Sequence, residues 1–132
     1  MIEEMNDDYV QALRILMMPR DTNHEGTIFG GVILTHIDQA GYVEARKHGI
    51  NRWVTAAVDR VEFLAPVHVG DIVDFLTRTA STGSTSVTVD VRVIAERRLD
   101  GKQVHVTTAR LVMVSIDDDG HPTPFKESGA AG

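Results

Sequence analysis

Apolar and polar residues follow two different periods in the two halves of this chain. Val87, Val89, Val91, Val93 and Ala95 alternate with Thr88, Asp90, Arg92 and Glu96, the period of a strand with one buried face. Upstream, Leu34, Ile37, Gly41 and Ala45 recur at three- and four-residue intervals, with Val32, Ile33 and Ala40 widening the apolar face. That spacing predicts a helix from Gly30 to about His48. So broad an apolar face requires cover on most sides, which places the helix at the centre of the fold. Arg46, Lys47 and His48 put positive charge at its negative end, and Gly49 closes it.

The remaining segments read in the same way. Gln11 to Met18 is a short strand or a helical turn, ended by Pro19. From Trp53 the sequence "WVTAAVDRVEFLAPV" is rich in β-branched and aromatic residues until Pro66 stops it. "PVHVGD" is a turn into the strand "IVDFLTRTAS", and "STGSTS" is the turn that follows. "RRLDGK" carries an Asp-Gly hairpin signal. "VHVTTARLVMVSI" has apolar residues in both phases, the pattern of a strand buried on both faces. Turns this short demand antiparallel neighbours. The expected architecture is α+β, one long antiparallel sheet wrapped around one central helix. A single domain is expected over residues 1–125, with "KESGAAG", 126–132, as a disordered tail.

Composition narrows the function classes. A length of 132 residues fits one domain with a real core. There is no cysteine, so disulfides and thiolate metal sites are excluded. No apolar run spans a bilayer, and the acidic start "MIEEMNDDYV" is unlike a secretory signal, so a cytoplasmic location is expected, without a membrane partner. A net charge of −6 argues against nucleic acid as a partner. It leaves room for a small anionic ligand.

Two features carry candidate chemistry. Asp38 lies four residues after Leu34 and seven before Ala45, on the apolar stripe as read above. An unpaired carboxylate there would be costly, and desolvation would raise its pKa. The opposite reading puts Asp38 at the edge of the stripe, in water or paired with an arginine. Gly30 and Gly31 stand at the helix start, where free N–H groups and the positive dipole end favour an anion or oxyanion. A glycine-rich helix start two turns before a carboxylate is expected to act with it on one carbonyl group. His24, His36 and His48 are spaced by twelve, which brings no side chains together on a helix, so no metal site is expected. His36 points away from Asp38, to a polar face.

The stretches "MPRDTNHEGTIFGGVILTHIDQAG", "VTAAVDRVEFLAPVHVGDIV" and "GSTSVTVDVRV" resemble the hotdog-fold acyl-CoA thioesterases, over Leu16 to about Pro122. The resemblance implies an acyl-CoA hydrolase working without a cofactor and built as a homodimer, with three dimers forming a hexamer. It implies that the loop Asn and helix Asp, here Asn23 and Asp38, are the catalytic pair, contributed to each site by different subunits. Ile28 and Phe29 would anchor the active-site loop and line the acyl pocket. Leu34 is a weaker candidate, better read as core. Gly83, Thr85 and Ser86 would touch the CoA pantetheine or phosphate, or else form a plain hairpin turn. One departure is Ala65, where members often carry a basic residue before the Pro. With no Cys and no Gly-x-Ser-x-Gly elbow, a Ser or Cys acyl-enzyme is disfavoured. Asp38 is left as a general base for water or as a direct nucleophile, with Gly30 or Gly31 donating to the oxyanion. A hotdog dehydratase or hydratase and a non-catalytic acyl-CoA-binding protein are the competing readings.

Overall fold

The structure, a computed structural model, describes residues 8–125; the tail expected at 126–132 lies outside them. The elements in chain order are β1 (Val10–Leu16), a 3-10 turn at Pro19–Asp21, α1 (Gly30–Ala45) continued by a 3-10 turn at Arg46–His48, β2 (Arg52–Phe63), β3 (Ile72–Thr82), β4 (Ser86–Glu96) and β5 (Gln103–Ile116). One sheet has the order β1-β3-β4-β5-β2, and every neighbouring pair is antiparallel. The segment after Val10 is settled as a strand because it pairs with β3, Leu13 opposite Phe75 and Ile15 opposite Val73.

The alternation read in β4 decides the core. Val87, Val89, Val91, Val93 and Ala95 are fully buried beneath the helix. From the helix, Ile33, Ile37, Ala40 and Ala45 join the same core. Gly41 allows the close approach: a Cβ there would lie 3.2 Å from Leu111 Cδ2. Burial of this kind is worth roughly 1.5–3 kcal/mol for each large aliphatic side chain. At the helix C-terminus Trp53 donates its indole N–H to the Gly49 carbonyl at 3.0 Å and packs at a tilt against the Phe125 ring, centres 5.2 Å apart.

Two expectations change. The buried stripe of α1 runs through Ile33, Ile37, Ala40, Gly41, Glu44 and Ala45, so Leu34 is exposed rather than core, and Asp38 is exposed beside it. With three apolar residues in succession at 32–34, the repeat left the phase of the stripe open by one residue, which is about 100° of rotation. β5 is buried mainly on one face: its odd-numbered residues from Thr107 to Ser115 are buried, whereas on the other face Thr108 and Arg110 are exposed, Val112 and Val114 are half-buried, and Val106 alone is fully buried. Its pairing with β4 also shifts register between Val93 and Ile94.

β2 stands at an edge of the sheet, with Val54, Val58 and Phe63 exposed along it. A long edge strand leaves a row of backbone N–H and C=O groups open to pairing. The outward side of α1 continues it with Leu34, Tyr42 and Val43.

Candidate active site

The loop between β1 and α1 is organised by Asn23. Its side-chain oxygen accepts the N–H groups of Glu25 (2.8 Å) and Thr27 (3.1 Å), and its amide donates to Thr27 Oγ1 at 3.0 Å. Its own backbone N–H donates to the Thr27 carbonyl at 2.7 Å. One amide hydrogen of Asn23 is therefore left for a further acceptor. Ile28 and Phe29, expected to act alike, divide the work. Ile28 is buried in the core and donates its N–H to the Val67 carbonyl at 2.9 Å, which anchors the loop. Phe29 donates its N–H to the Asp21 carbonyl at 3.0 Å and leaves its ring half exposed beside the helix start. His24 and Glu25 meet at 3.4 Å in the solvent.

Gly30 and Gly31 are the first two residues of α1, and the residue before them, Phe29, supplies no side-chain cap. Among the described residues no acceptor takes either N–H. These are the orphan donors at the positive end of the helix dipole. A Cβ at Gly30 would rest 3.5 Å from the Phe63 ring, whereas nothing lies within 4 Å of one at Gly31. The backbone at Gly31 is thus open to a ligand.

Asp38 receives a hydrogen bond from the Thr55 hydroxyl. Thr55 also lies 3.4 Å from Met113 Sδ, so it joins the helix carboxylate to the floor of the sheet. Together they open on a mostly apolar groove of about 700 Å³, lined also by Leu13, Tyr42, Val43 and Val54. Two parts of the sequence reading are corrected here. The desolvation expected at Asp38 is absent from the single protomer, because its carboxylate is exposed. And the helix start cannot act with Asp38 of the same chain: eight residues at 1.5 Å each separate them by about 12 Å along the axis. Asn23 bonds only within its own loop among the described residues, so one protomer does not join it to Asp38 either.

The hairpin end at Gly83, Thr85 and Ser86 is remote from the helix start of its own chain. It follows Thr79, which bonds Glu44 and His48 at the other end of α1. Gly83 donates its N–H to the Ser86 carbonyl (2.8 Å), and the Thr85 carbonyl accepts the N–H of Ser115 (2.9 Å). His36 is not a free polar-face residue. It is half-buried, packs on Phe75 with ring centres 5.5 Å apart, and bonds the Val32 carbonyl through Nδ1.

Two side chains that sequence reasoning passed over are Thr55 and Glu44. Thr55 sat unremarked within a β-branched run, and only its position opposite Asp38 distinguishes it. Glu44 is the helix carboxylate that is buried. It accepts hydroxyls from Thr77 (2.9 Å) and Thr79 (2.8 Å) and pairs with Lys47 at 2.9 Å. Burial alone would push its carboxyl up, but the Lys47, Thr79 and Thr77 contacts outweigh that and hold it below the ordinary carboxylate value. Its partners are all internal, so it ties α1 to β3. One exposed trio of potential metal ligands, Asp117, Asp119 and His121, occurs among the described residues. Its Asp117 carboxylate already accepts the N–H groups of Asp119 and His121, both at 2.9 Å, as a turn does.

Comparison with known proteins adds an independent finding. Residues 25–102 match the family model described as the thioesterase superfamily. The acyl-CoA thioester hydrolase YciA of Salmonella typhimurium is 36% identical over 121 residues, 89% of this chain and 91% of that protein. Among solved structures, the hexameric hotdog fold thioesterase of Campylobacter jejuni superposes with a TM-score of 0.84 at 40% identity, covering 92% of this chain and 93% of that one. The acyl-CoA hydrolase of Staphylococcus aureus, solved with butyryl-CoA and CoA, gives a TM-score of 0.79 at 30% identity, covering 93% and 74%. The hotdog resemblance read from the motifs is thereby borne out, as is the helix-wrapped sheet it implied.

Proposed function

Because the chain belongs to the thioesterase superfamily, we propose that it hydrolyses acyl-CoA thioesters to a carboxylic acid and CoA, with Asp38 activating the attack. The observation that carries this reading is the exposed Asp38 carboxylate, steadied by the Thr55 hydroxyl at the mouth of a mostly apolar groove. The groove takes the acyl chain, and the carboxylate faces the thioester carbon. Asp38 acts as general base for a water, or attacks the thioester carbon directly, breaking the C–S bond to release CoA and forming an anhydride that water then opens. The tetrahedral oxyanion is stabilised by the N–H groups of Gly30 or Gly31, each such donor being worth roughly 3–4 kcal/mol. The spare amide hydrogen of Asn23 orients the water or the thioester.

Since one chain separates its helix start from its Asp38 by about 12 Å, the site is composite. Asn23, Gly30 and Gly31 come from one protomer and Asp38 with Thr55 from its two-fold mate. The uncovered β2 edge and the outward face of α1 are the surfaces on which that mate docks. The relatives that are hexamers support a trimer of such dimers. The chemistry uses only side chains, backbone and water, and needs no cofactor. No helix among the described residues is long and apolar enough to cross a membrane, which accords with the cytoplasmic location proposed here.

The test is thiol release from a panel of acyl-CoAs, for the parental chain and for Asp38→Asn. Turnover by the parental chain and its loss in the folded variant support the reading. Near-parental turnover by Asp38→Asn would refute the role of Asp38. A change in enoyl absorbance without thiol release would point to hydration instead, and ligand binding without any turnover to a binding protein.

A further inference from the structure

A second cleft, of about 540 Å³, adjoins the groove that opens at Asp38 and shares Tyr42, Trp53 and Val54 with it. Past those three residues it is lined by Ile50, which is 81% exposed, and by Ile116. Its polar rim is already engaged. Asn51 donates to the Ser115 hydroxyl at 3.0 Å, Arg52 meets Asp118 at 3.5 Å, and Arg46 donates to the Tyr42 hydroxyl at 3.2 Å. What the second cleft offers a ligand is therefore mostly apolar surface, continuous with that of the first.

The three shared residues differ in what they can do at the boundary. Trp53 is buried and fixed, its indole N–H bonded to the Gly49 carbonyl and its ring against Phe125. Val54 is too short to divide the space. Tyr42 is the long side chain that stands between the two clefts. Arg46, one turn further along, braces it: besides the hydrogen bond, the guanidinium lies 5.9 Å from the centre of the ring.

The distances turn this boundary into a length. Tyr42 lies one helical turn past Asp38, about 6 Å along the axis. On β2, Thr55 bonds Asp38, and Trp53 stands two residues before it, about 7 Å along the strand. An extended alkyl chain advances about 1.3 Å per carbon, the projection of a bond of about 1.5 Å. A chain whose thioester carbon is held at Asp38 thus reaches Tyr42 after about five carbons.

We propose that Tyr42 is the length-determining residue for the acyl chain: its ring closes the far end of the groove and keeps the chain out of the adjoining cleft. This rests on the thioesterase reading, in which the groove takes the acyl chain. The substrate class it implies is a short-chain acyl-CoA of about four to six carbons. The boundary lies within one chain, on α1 and β2, so the two-fold mate that roofs the groove does not move it.

The experiment measures kcat/KM for butyryl-, hexanoyl-, octanoyl- and decanoyl-CoA with the parental chain, Tyr42→Ala and Tyr42→Phe. Each methylene that gains apolar cover is worth about fourfold. The parental values should climb as far as hexanoyl-CoA and then stop rising. In Tyr42→Ala they should go on climbing, so that the octanoyl to hexanoyl ratio rises about tenfold. Tyr42→Phe keeps the ring and should keep the parental profile. Ratios between substrates are read because a variant that weakens the dimer lowers every substrate alike. An octanoyl to hexanoyl ratio unchanged in Tyr42→Ala, or changed equally in Tyr42→Phe, would overturn the assignment. Calorimetric titration with S-hexyl-CoA and S-decyl-CoA, thioethers that cannot be hydrolysed, makes the comparison without turnover. Tyr42→Ala should improve the affinity for S-decyl-CoA relative to S-hexyl-CoA about tenfold or more, and an unaltered ratio refutes the role of Tyr42. That result stands apart from the thioesterase reading, which fails if the parental chain hydrolyses none of the four thioesters.

Discussion

Asn23→Ala and Asp38→Ala chains, each inactive alone, should recover activity when they are refolded together in equal amounts. The magnitude follows from the geometry of α1. Gly30 and Asp38 are eight residues apart, or about 12 Å along the axis, while reacting groups must approach to about 3–3.5 Å. Asn23 lies on the loop before Gly30, and its hydrogen bonds hold it there. A productive site therefore takes Asn23 from one chain and Asp38 from another. In a mixed dimer one site then receives both intact residues and the other receives both lesions. Random pairing makes about half the dimers mixed, each with one working site of two, so about a quarter of parental activity should return. Assembly of dimers into hexamers leaves that fraction unchanged. The assay is thiol release after co-refolding, with the two chains carrying different tags so that mixed dimers can be isolated and counted. If mixed dimers are present and no activity returns, Asn23 and Asp38 serve sites within single chains and the composite arrangement is wrong.

Three further outcomes are expected. Thr55→Val keeps the shape of the side chain but deletes the hydrogen bond to Asp38, and should lower kcat/KM about ten- to hundredfold; unchanged steady-state kinetics would remove Thr55 from the site. Glu44 has a folded pKa below its unfolded value of about 4.3, so its stabilising contribution is complete above that value and is lost as pH falls through the lower folded one. Glu44→Gln should accordingly cost about 1–3 kcal/mol at neutral pH and close to nothing at pH values below the folded pKa, read by urea melts at a fixed protomer concentration; a cost independent of pH would contradict the charge-based account. Gly70→Ala forces a side chain into left-handed backbone at φ +89° and displaces Arg98, so it should lower stability by about 1–2 kcal/mol, measured by thermal melts; an unchanged midpoint would contradict the strain argued for this position.

Much of the fold was legible because it rests on local patterns. The valine alternation of β4, the stop at Pro66 and the Asp-Gly turn after Arg98 each act through nearby backbone geometry. Short turns then left antiparallel pairing as the only option for β3 with β4 and for β4 with β5, whereas the connection 64–71 carries the chain across the sheet, so that β2 pairs with β5 and not with β3 as the short turn had implied. The loop around Asn23 and the paired glycines could be singled out too, since a polar, glycine-rich stretch carrying Ile28 and Phe29 fits neither a surface turn nor a core segment. Contacts set by the rotation of one element against another were not legible. The helix repeat specifies that an apolar face exists but leaves its phase open by one residue, so it does not decide whether Asp38 faces in or out, and it marks neither Leu34 as exposed nor Glu44 as buried. Only packing against β3 brings Thr77 and Thr79 under Glu44, thirty-three and thirty-five residues away. The partner of Asp38 was hidden for the same reason: Thr55 lies seventeen residues on, across a loop and in another element. Arg97 and Arg98 are adjacent and chemically identical in the sequence. Asp71 takes one and the bare backbone of Gly70 seats the other, because β4 has ended at Glu96 and the folded turn and loop decide what each side chain meets.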